Sequence, residues 1–341
     1  MERVSQLILR NAKLFHSGQV LLINPPADSC HNSLSKFTRQ VNVFSQNHSD
    51  YSYFISSGIV AHFGLIPSLS SVAQDIVFIL PRERERLDMM LHAIATDLSP
   101  DSILWLAGEN RSGIKSSARR LSPYFQSVSK IDNARHCTLY RASKPNAPTP
   151  FKMESYKKTW SLTYSETQIN IISLPGTFSH GKLDKGTKLL LSTLEKLKPE
   201  GSILDFACGS GVIGLSVQQF NSAGKLTLLD VSALALESAR HSLKVNGITA
   251  SLVTSDGLSQ LEGRFDWIVS NPPFHQGIKN DLNVTRLFFA DAANFLTETG
   301  KILLVCNKHL PYVGWLKDYF KRVDLLESGQ GFRVILASNL V

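Results

Sequence analysis

Ile203-Leu204-Asp205-Phe206-Ala207-Cys208-Gly209-Ser210-Gly211 is an apolar run, interrupted by one acid, that breaks into a glycine-rich turn. It predicts a buried strand, and Val212 to Phe220 behind it predicts a helix. A strand passing through glycines into a helix opens a parallel βαβ unit, which binds ligands at the carboxyl ends of its strands. The stretches around it fit. Lys225 to Asp230 reads as a strand ending in an acid. A helix from Ser232 or Ala233 to about Val245 follows, stopped by Asn246-Gly247. Leu252 to Gly257 reads as a third strand, with Asp256 near its end. Phe265 to Val269 is a fourth, then a helix from about Leu282 to Leu296 and a strand from Lys301 to Cys306. A β-pair around Val323–Leu326 and Phe332–Ala337 closes the chain. Upstream, Leu174 to Ser179 is a loop, and Leu183-Asp184-Lys185-Gly186 leads into a helix from Thr187 to Leu197.

The first half repeats the pattern. Gly18–Ile23, Asp75–Leu80, Ser102–Ala107 and Cys137–Arg141 read as strands, with helices over Arg82–Ala95 and Ile114–Leu121 and a loop over Gly108–Gly113. Asp75–Pro81 parallels Asp266–Pro272, and Ser102–Ala107 parallels Lys301–Cys306. No glycine-rich turn appears, and Leu80-Pro81-Arg82-Glu83 stands where Asn271-Pro272-Pro273-Phe274 would be. The expected fold is α/β, two tandem Rossmann-like domains related by duplication, each a mostly parallel sheet with helices on both faces. Three prolines between Lys144 and Pro150 mark the connector, giving domains over 1–144 and 154–341 and a linker over 145–153.

Composition narrows the partners. The 341 residues carry 36 Lys+Arg against 28 Asp+Glu, a net charge of +8 that suits a polyanion. Arg111, Lys115, Arg119, Arg120, Lys130, Arg135, Arg141 and Lys144 are opposed in their interval only by Asp132, and Lys157 and Lys158 follow, which predicts a phosphate-facing surface. Cys30, Cys137, Cys208 and Cys306 have no metal-ligand spacing and read as free thiols. No metal site, signal peptide or membrane span is expected, and the cytoplasm is the default location.

Gly209-Ser210-Gly211-Val212-Ile213-Gly214 fits G-x-G-x-x-G, which a nicotinamide enzyme would also show. Acids at or near three successive strand ends separate the two readings. A dinucleotide needs one acid and a bare turn, whereas S-adenosylmethionine offers an ammonium, a ribose diol and an adenine amine. Asp205 would support the turn and methionine end, Asp230 would accept the ribose hydroxyls and Asp256 would face the adenine. At the fourth strand end, Asn271 offers an amide oxygen and Pro272 a free carbonyl, two acceptors for an amine, while Phe274 offers a ring on which a base can stack.

These two motifs together resemble the class I amino-methyltransferases. The duplicated layout, Leu174–Ser179, Leu183-Asp184-x-Gly186 and Gly108–Gly113 resemble the bacterial small-subunit ribosomal RNA guanine-N2 methyltransferases over nearly the whole chain, least over Cys30–Ala73. The resemblance implies Asn271, Pro272 and Phe274 as catalytic residues. It implies Phe178, Asp184, Gly186, Asp205, Cys208, Gly209, Gly211, Asp230, Val231, Asp256, Gly257 and Asn271 as residues binding S-adenosyl-L-methionine. The resemblance further implies 16S rRNA of the small subunit as the partner and a monomeric protein, with Arg111, Lys115, Arg119, Arg120, Arg135, Lys157 and Lys158 as the RNA-binding candidates. The first half, its own site lost, would hold RNA or aid folding of the second. Phe206-Ala207 departs from the family, where smaller residues and glycine are commoner. Rivals using the same loop are a large-subunit rRNA guanine-N2, a protein-glutamine or a DNA-adenine methyltransferase. A non-catalytic rRNA-binding assembly factor is the reading from another class.

Overall fold

The computed structural model describes residues 1–16, 18–69, 74–146, 148–272 and 279–341, with side chains in the last stretch from 285 onward. The chain divides into two units, Met1–Tyr156 and Lys157–Val341. Unit 1 runs α1 (Arg3–Arg10), β1 (Gln19–Ile23), α2 (Cys30–Leu34), β2 (Gln40–Ser45), α3 (His48–Ser56), β3 (Val60–Phe63), β4 (Asp75–Ile79), α4 (Arg84–Asp97), β5 (Ile103–Glu109), α5 (Ile114–Leu121), β6 (Phe125–Ala134) and β7 (Cys137–Pro145). Unit 2 runs β8 (Lys158–Tyr164), β9 (Thr167–Ser173), α6 (Lys185–Leu197), β10 (Ile203–Phe206), α7 (Val212–Val217), β11 (Leu226–Asp230), α8 (Ala233–Val245), β12 (Ser251–Thr254), β13 (Phe265–Ser270), α9 (Lys279–Ala292), β14 (Leu296–Asn307), α10 (Tyr312–Leu316), β15 (Phe320–Gly329) and β16 (Phe332–Leu340).

The two large sheets have the same order, β3-β2-β1-β4-β5-β7-β6 and β12-β11-β10-β13-β14-β16-β15. In each, five strands are parallel and a closing pair is antiparallel. Apolar runs such as Ile203-Leu204 suit strands covered on both faces, because alternate side chains leave the sheet in opposite directions. Ile203, Leu228, Val269 and Leu303 meet Leu194 of α6, Leu215 of α7 and Ala239 of α8. Their neighbours Leu204, Leu229, Ile268 and Ile302 meet Phe289 of α9 and Leu316 of α10 on the other face.

The duplication extends to the backbone. Asn24 follows β1 at φ 50, and Ala207 follows β10 at φ 58, the left-handed region in both copies. In unit 1 the turn after β1 lacks glycine, and Ser45 stands level with Asp230. Gln46, the next residue, accepts from Asn24 Nδ2 at 3.1 Å and from Arg86 Nε at 2.9 Å. Strand register brings Ile79, one residue before Leu80, level with Asn271. An apolar side chain therefore replaces the amide.

Several elements differ from the sequence expectation. Unassigned residues form β2, α3, β3, β6 and the β8–β9 hairpin. The β6–β7 and β8–β9 turns place Arg135-His136 and Ser165-Glu166 at positive φ without glycine or asparagine, so the usual hairpin signal is missing. Glu109 ends β5 where a loop was expected. Leu296 opens β14 where the helix was to end, and the third strand stops at Thr254. His92 Nε2 bonds the Thr149 carbonyl at 2.7 Å and its Nδ1 the Tyr156 hydroxyl at 2.8 Å, which fastens the stretch after the prolines to α4. All four cysteines are free and buried. Among the described residues no helix is long and apolar enough to cross a membrane, and no group of three or more His, Cys, Asp or Glu could hold a metal.

Candidate active site

A shallow cleft, open to solvent, lies over the carboxyl ends of β10 and β13 and the start of α6. Phe178, Asp184, Cys208, Gly209 and Asn271 from the sequence candidates line it. So do Lys182, Thr187 and Ser210, whose types alone did not mark them. The loop bearing Phe178 is fixed from below. Ser238 and Ser242 of α8 accept from the backbone of Leu174 and Ile172, and Thr177 Oγ1 donates to the Leu234 carbonyl at 3.1 Å. Phe178 itself is 63% exposed at the rim.

Beneath the cleft the glycine turn is held by acids. Asp230 accepts from the backbone N–H of Gly209 and of Ser232, one on each carboxylate oxygen, both at 2.9 Å. Burial pushes its carboxyl up from the ordinary value. A carboxylate has four acceptor lone pairs, so these two bonds do not exhaust its capacity. Gly211 takes φ 81 to turn the chain into α7, and a Cβ there would lie 2.8 Å from Leu215. At Gly209 a Cβ would meet only Thr177 at 4.0 Å, so the backbone leaves an open cradle. Ala207 adopts φ 58 without being glycine, and Phe206 stacks on Phe288 with ring centroids 4.0 Å apart. Burial, with Asp230 and Asp205 adding to it, keeps the Cys208 thiol protonated and unsuited to nucleophilic work.

Asp205 does not reach the cleft surface. It is fully buried, its Oδ2 accepts from Gly214 N–H at 2.8 Å, and its Oδ1 has no partner among the described residues. Burial pushes this carboxyl up to about 8 from 3.8. Folded protein therefore keeps a proton that unfolded chain loses between about pH 4 and 8. The carboxyl's contribution is present below about pH 4 and is lost as pH rises through about 8, at up to ~1.4 kcal/mol per pH unit. In Asp205→Asn the amide oxygen still accepts from Gly214, so that slope disappears. Urea unfolding of the cofactor-free protein at pH 5 and 7.5 checks this, and parallel curves for the two proteins would refute it.

Asn271 sits in a polar clamp. Its Nδ2 donates to Asp184 Oδ2 at 3.2 Å and to Thr187 Oγ1 at 2.9 Å. An ionised carboxylate only accepts, so the amide nitrogen must face Asp184 and the oxygen the other way. Oδ1 accepts no hydrogen bond among the described residues. Asp184 also caps α6, accepting from Thr187 N–H at 3.0 Å. One helix start thus aims the amide of a separate strand end. Thr187→Val keeps the shape and removes the hydroxyl. We expect kcat to fall roughly tenfold with the KM for the ligand of the cleft nearly unchanged, and Thr187→Ser to restore it. Equal loss in the valine and serine variants would count against the clamp.

The remaining candidates fall elsewhere. Gly186 is buried in α6, where a Cβ would press on Phe332 at 3.0 Å. Val231 is half-buried after β11. Asp256 and Gly257 lie past the end of β12, Asp256 exposed and Gly257 at φ 59. Pro272 is buried, and Phe274 lies outside the described residues. The basic candidates are divided. Lys115 and Arg119 face solvent one turn apart on α5, while Arg111 pairs with Glu109 and Arg120 with Asp88. Arg135 is exposed at the β6–β7 tip, and Lys157 and Lys158 begin unit 2.

Identical doubly wound sheets and a glycine-turn cleft define a class I methyltransferase built twice. Family models agree: the methyltransferase small domain matches residues 168–336 and its N-terminal domain residues 5–160. Ribosomal RNA small subunit methyltransferase C of Pseudoalteromonas atlantica is 36% identical, covering 98% of both chains. That of Pseudomonas fluorescens is 36% identical over 99% of both. The chain belongs to the ribosomal RNA small subunit methyltransferase C family. In fold it matches the T. thermophilus 16S rRNA N2 G1207 methyltransferase, solved with AdoMet and guanosine. The TM-score is 0.88 at 24% identity, over 99% of this chain and 92% of that one.

Proposed function

We propose that this protein transfers a methyl group from S-adenosylmethionine to the exocyclic N2 amine of a guanine in 16S rRNA, the equivalent of G1207 in the T. thermophilus enzyme. It acts as a cytoplasmic monomer without a metal. The observation that carries this reading is the clamped Asn271 amide, which leaves one acceptor oxygen at the cleft.

The residues present fit the cofactor. Gly209 provides an open cradle, Asp230 has spare acceptor capacity, and Asp205 keeps an unpartnered oxygen beneath the turn. When bound, S-adenosylmethionine supplies an electrophilic methyl group on a sulfonium. Asp230 would take the ribose hydroxyls, Asp256 would face the adenine amine, and Phe178, Cys208, Gly209 and Gly211 would frame the rest. Asn271 Oδ1 and the Pro272 carbonyl accept the two hydrogens of the guanine amine, drawing its lone pair out of conjugation, with Phe274 stacking the base. The amine nitrogen would gain the methyl as the sulfonium becomes a neutral thioether, and would then give up one proton to solvent; positioning and electrostatics do the work, with no general base needed in line with the methyl. The base must leave its stack, at a cost of a few kcal/mol. Unit 1, where Gln46 bonds Asn24 and Arg86 beside the β1 turn, serves RNA binding or supports unit 2.

The test is incubation with methyl-labelled S-adenosylmethionine and unmethylated small subunits, large subunits or free rRNA. Label on a small-subunit guanine is expected. Label on large subunits alone would move the target, and label on no RNA would overturn the reading in favour of protein, DNA or a non-catalytic assembly role.

A further inference from the structure

We propose that a groove in unit 1, between α1, the turn after α2 and the β6–β7 tip, docks a single-stranded segment of RNA. The groove is broad and open, and Gln6, Leu9, Arg10, Lys36, Phe37 and Arg135 lie along it. No acid lines it. Phe37 is 41% exposed although aromatic, directly beside Lys36. A ring open to water among cations is what unstacked bases use, stacking on the ring while phosphates meet the positive charge.

The charge is available. Among the described residues no carboxylate pairs with Lys36 or Arg135, and both are exposed. Arg135 takes φ 54 in the two-residue turn of a β-ribbon, which carries its side chain beyond the sheet. Arg10 bonds Asp132 through Nε at 2.9 Å, and its side chain stays 64% exposed. A polyanion that also presents flat bases satisfies both features, and an acidic peptide would leave the ring unused. The choice of RNA rests on the proposed rRNA activity. Of the basic run conspicuous in the sequence, Arg135 alone lines this groove.

The full chain is tested by fluorescence anisotropy with a labelled single-stranded RNA of about a dozen nucleotides, across a salt series. Phe37→Ala weakens binding about tenfold, and Phe37→Trp retains it. Lys36→Ala with Arg135→Ala lowers the salt slope by about 0.7 per cation. S-adenosylmethionine binding stays unchanged in all of them, which reports an intact fold. Wild-type affinity and slope in these variants would overturn the proposal. So would unchanged RNA affinity with loss of methylation on assembled subunits alone, which would assign the groove to a ribosomal protein. If the variants lose RNA binding while even wild-type protein methylates no RNA, the groove stands and the proposed activity falls.

Discussion

With alanine in place of Asn271, methyl transfer to the small-subunit guanine falls roughly 10²–10³-fold, the scale seen when one preorganised polar group is removed from a reacting centre. The amide does two jobs. Its nitrogen is tied to Asp184 and Thr187, so its oxygen is held in place before substrate arrives. In the proposed mechanism that oxygen accepts from an amine whose nitrogen gains positive charge as the methyl transfers, so the bond would strengthen in the transition state and its loss would fall on kcat. Asn271→Asp gives no rescue, because its carboxylate would face Asp184 across a contact of 3.2 Å and lose both donors. Single-turnover transfer with labelled cofactor measures this. Turnover within a few-fold of wild type in the alanine variant would remove Asn271 from the mechanism.

Asp230→Asn has the second-largest effect, and it falls on the cofactor. Each carboxylate oxygen accepts one backbone N–H, from Gly209 and Ser232. An amide has one oxygen and one NH₂, so in either orientation a donor faces a donor and one bond is lost. Losing a bond to a charged acceptor costs about 1.5–3 kcal/mol, and the glycine turn loses a support with it. S-adenosylmethionine affinity, measured by calorimetry, therefore drops roughly 10- to 100-fold, and the cofactor-free protein unfolds at lower urea. An unchanged Kd would mean that Asp230 only supports the turn. Asp230→Glu separates charge from reach. It keeps two oxygens on a longer arm, and partial recovery is expected.

Much of this was legible in the residues. Ile203-Leu204-Asp205-Phe206 and its glycines named their own strand, turn and helix, because a parallel strand is covered on both faces and reads as a continuous apolar run. Asp184, Cys208, Gly209 and Asn271 reached one cleft as expected, since ligand sites of such sheets gather at strand ends. The edge strands were harder to read. β6 has one fully buried residue, Phe125, and alternates little, and its turn uses arginine and histidine where glycine is usual. Thr187 gave no signal at all, for a threonine in the first turn of a helix has an ordinary local reading. Unit 1's groove was equally hidden, because Arg10, Phe37 and Arg135 are neighbours only after folding.

Sequence alone determined the doubled α/β fold and the cofactor class, because each is carried by contiguous residues whose spacing has local physical meaning. Tertiary structure decided which way the Asn271 amide points, that Asp205 lies buried under the turn, and that Gln46 bonds Asn24 and Arg86 beside the β1 turn of unit 1. Those outcomes depend on which groups far apart in the chain come within hydrogen-bond reach and lose their water, and no local spacing encodes that.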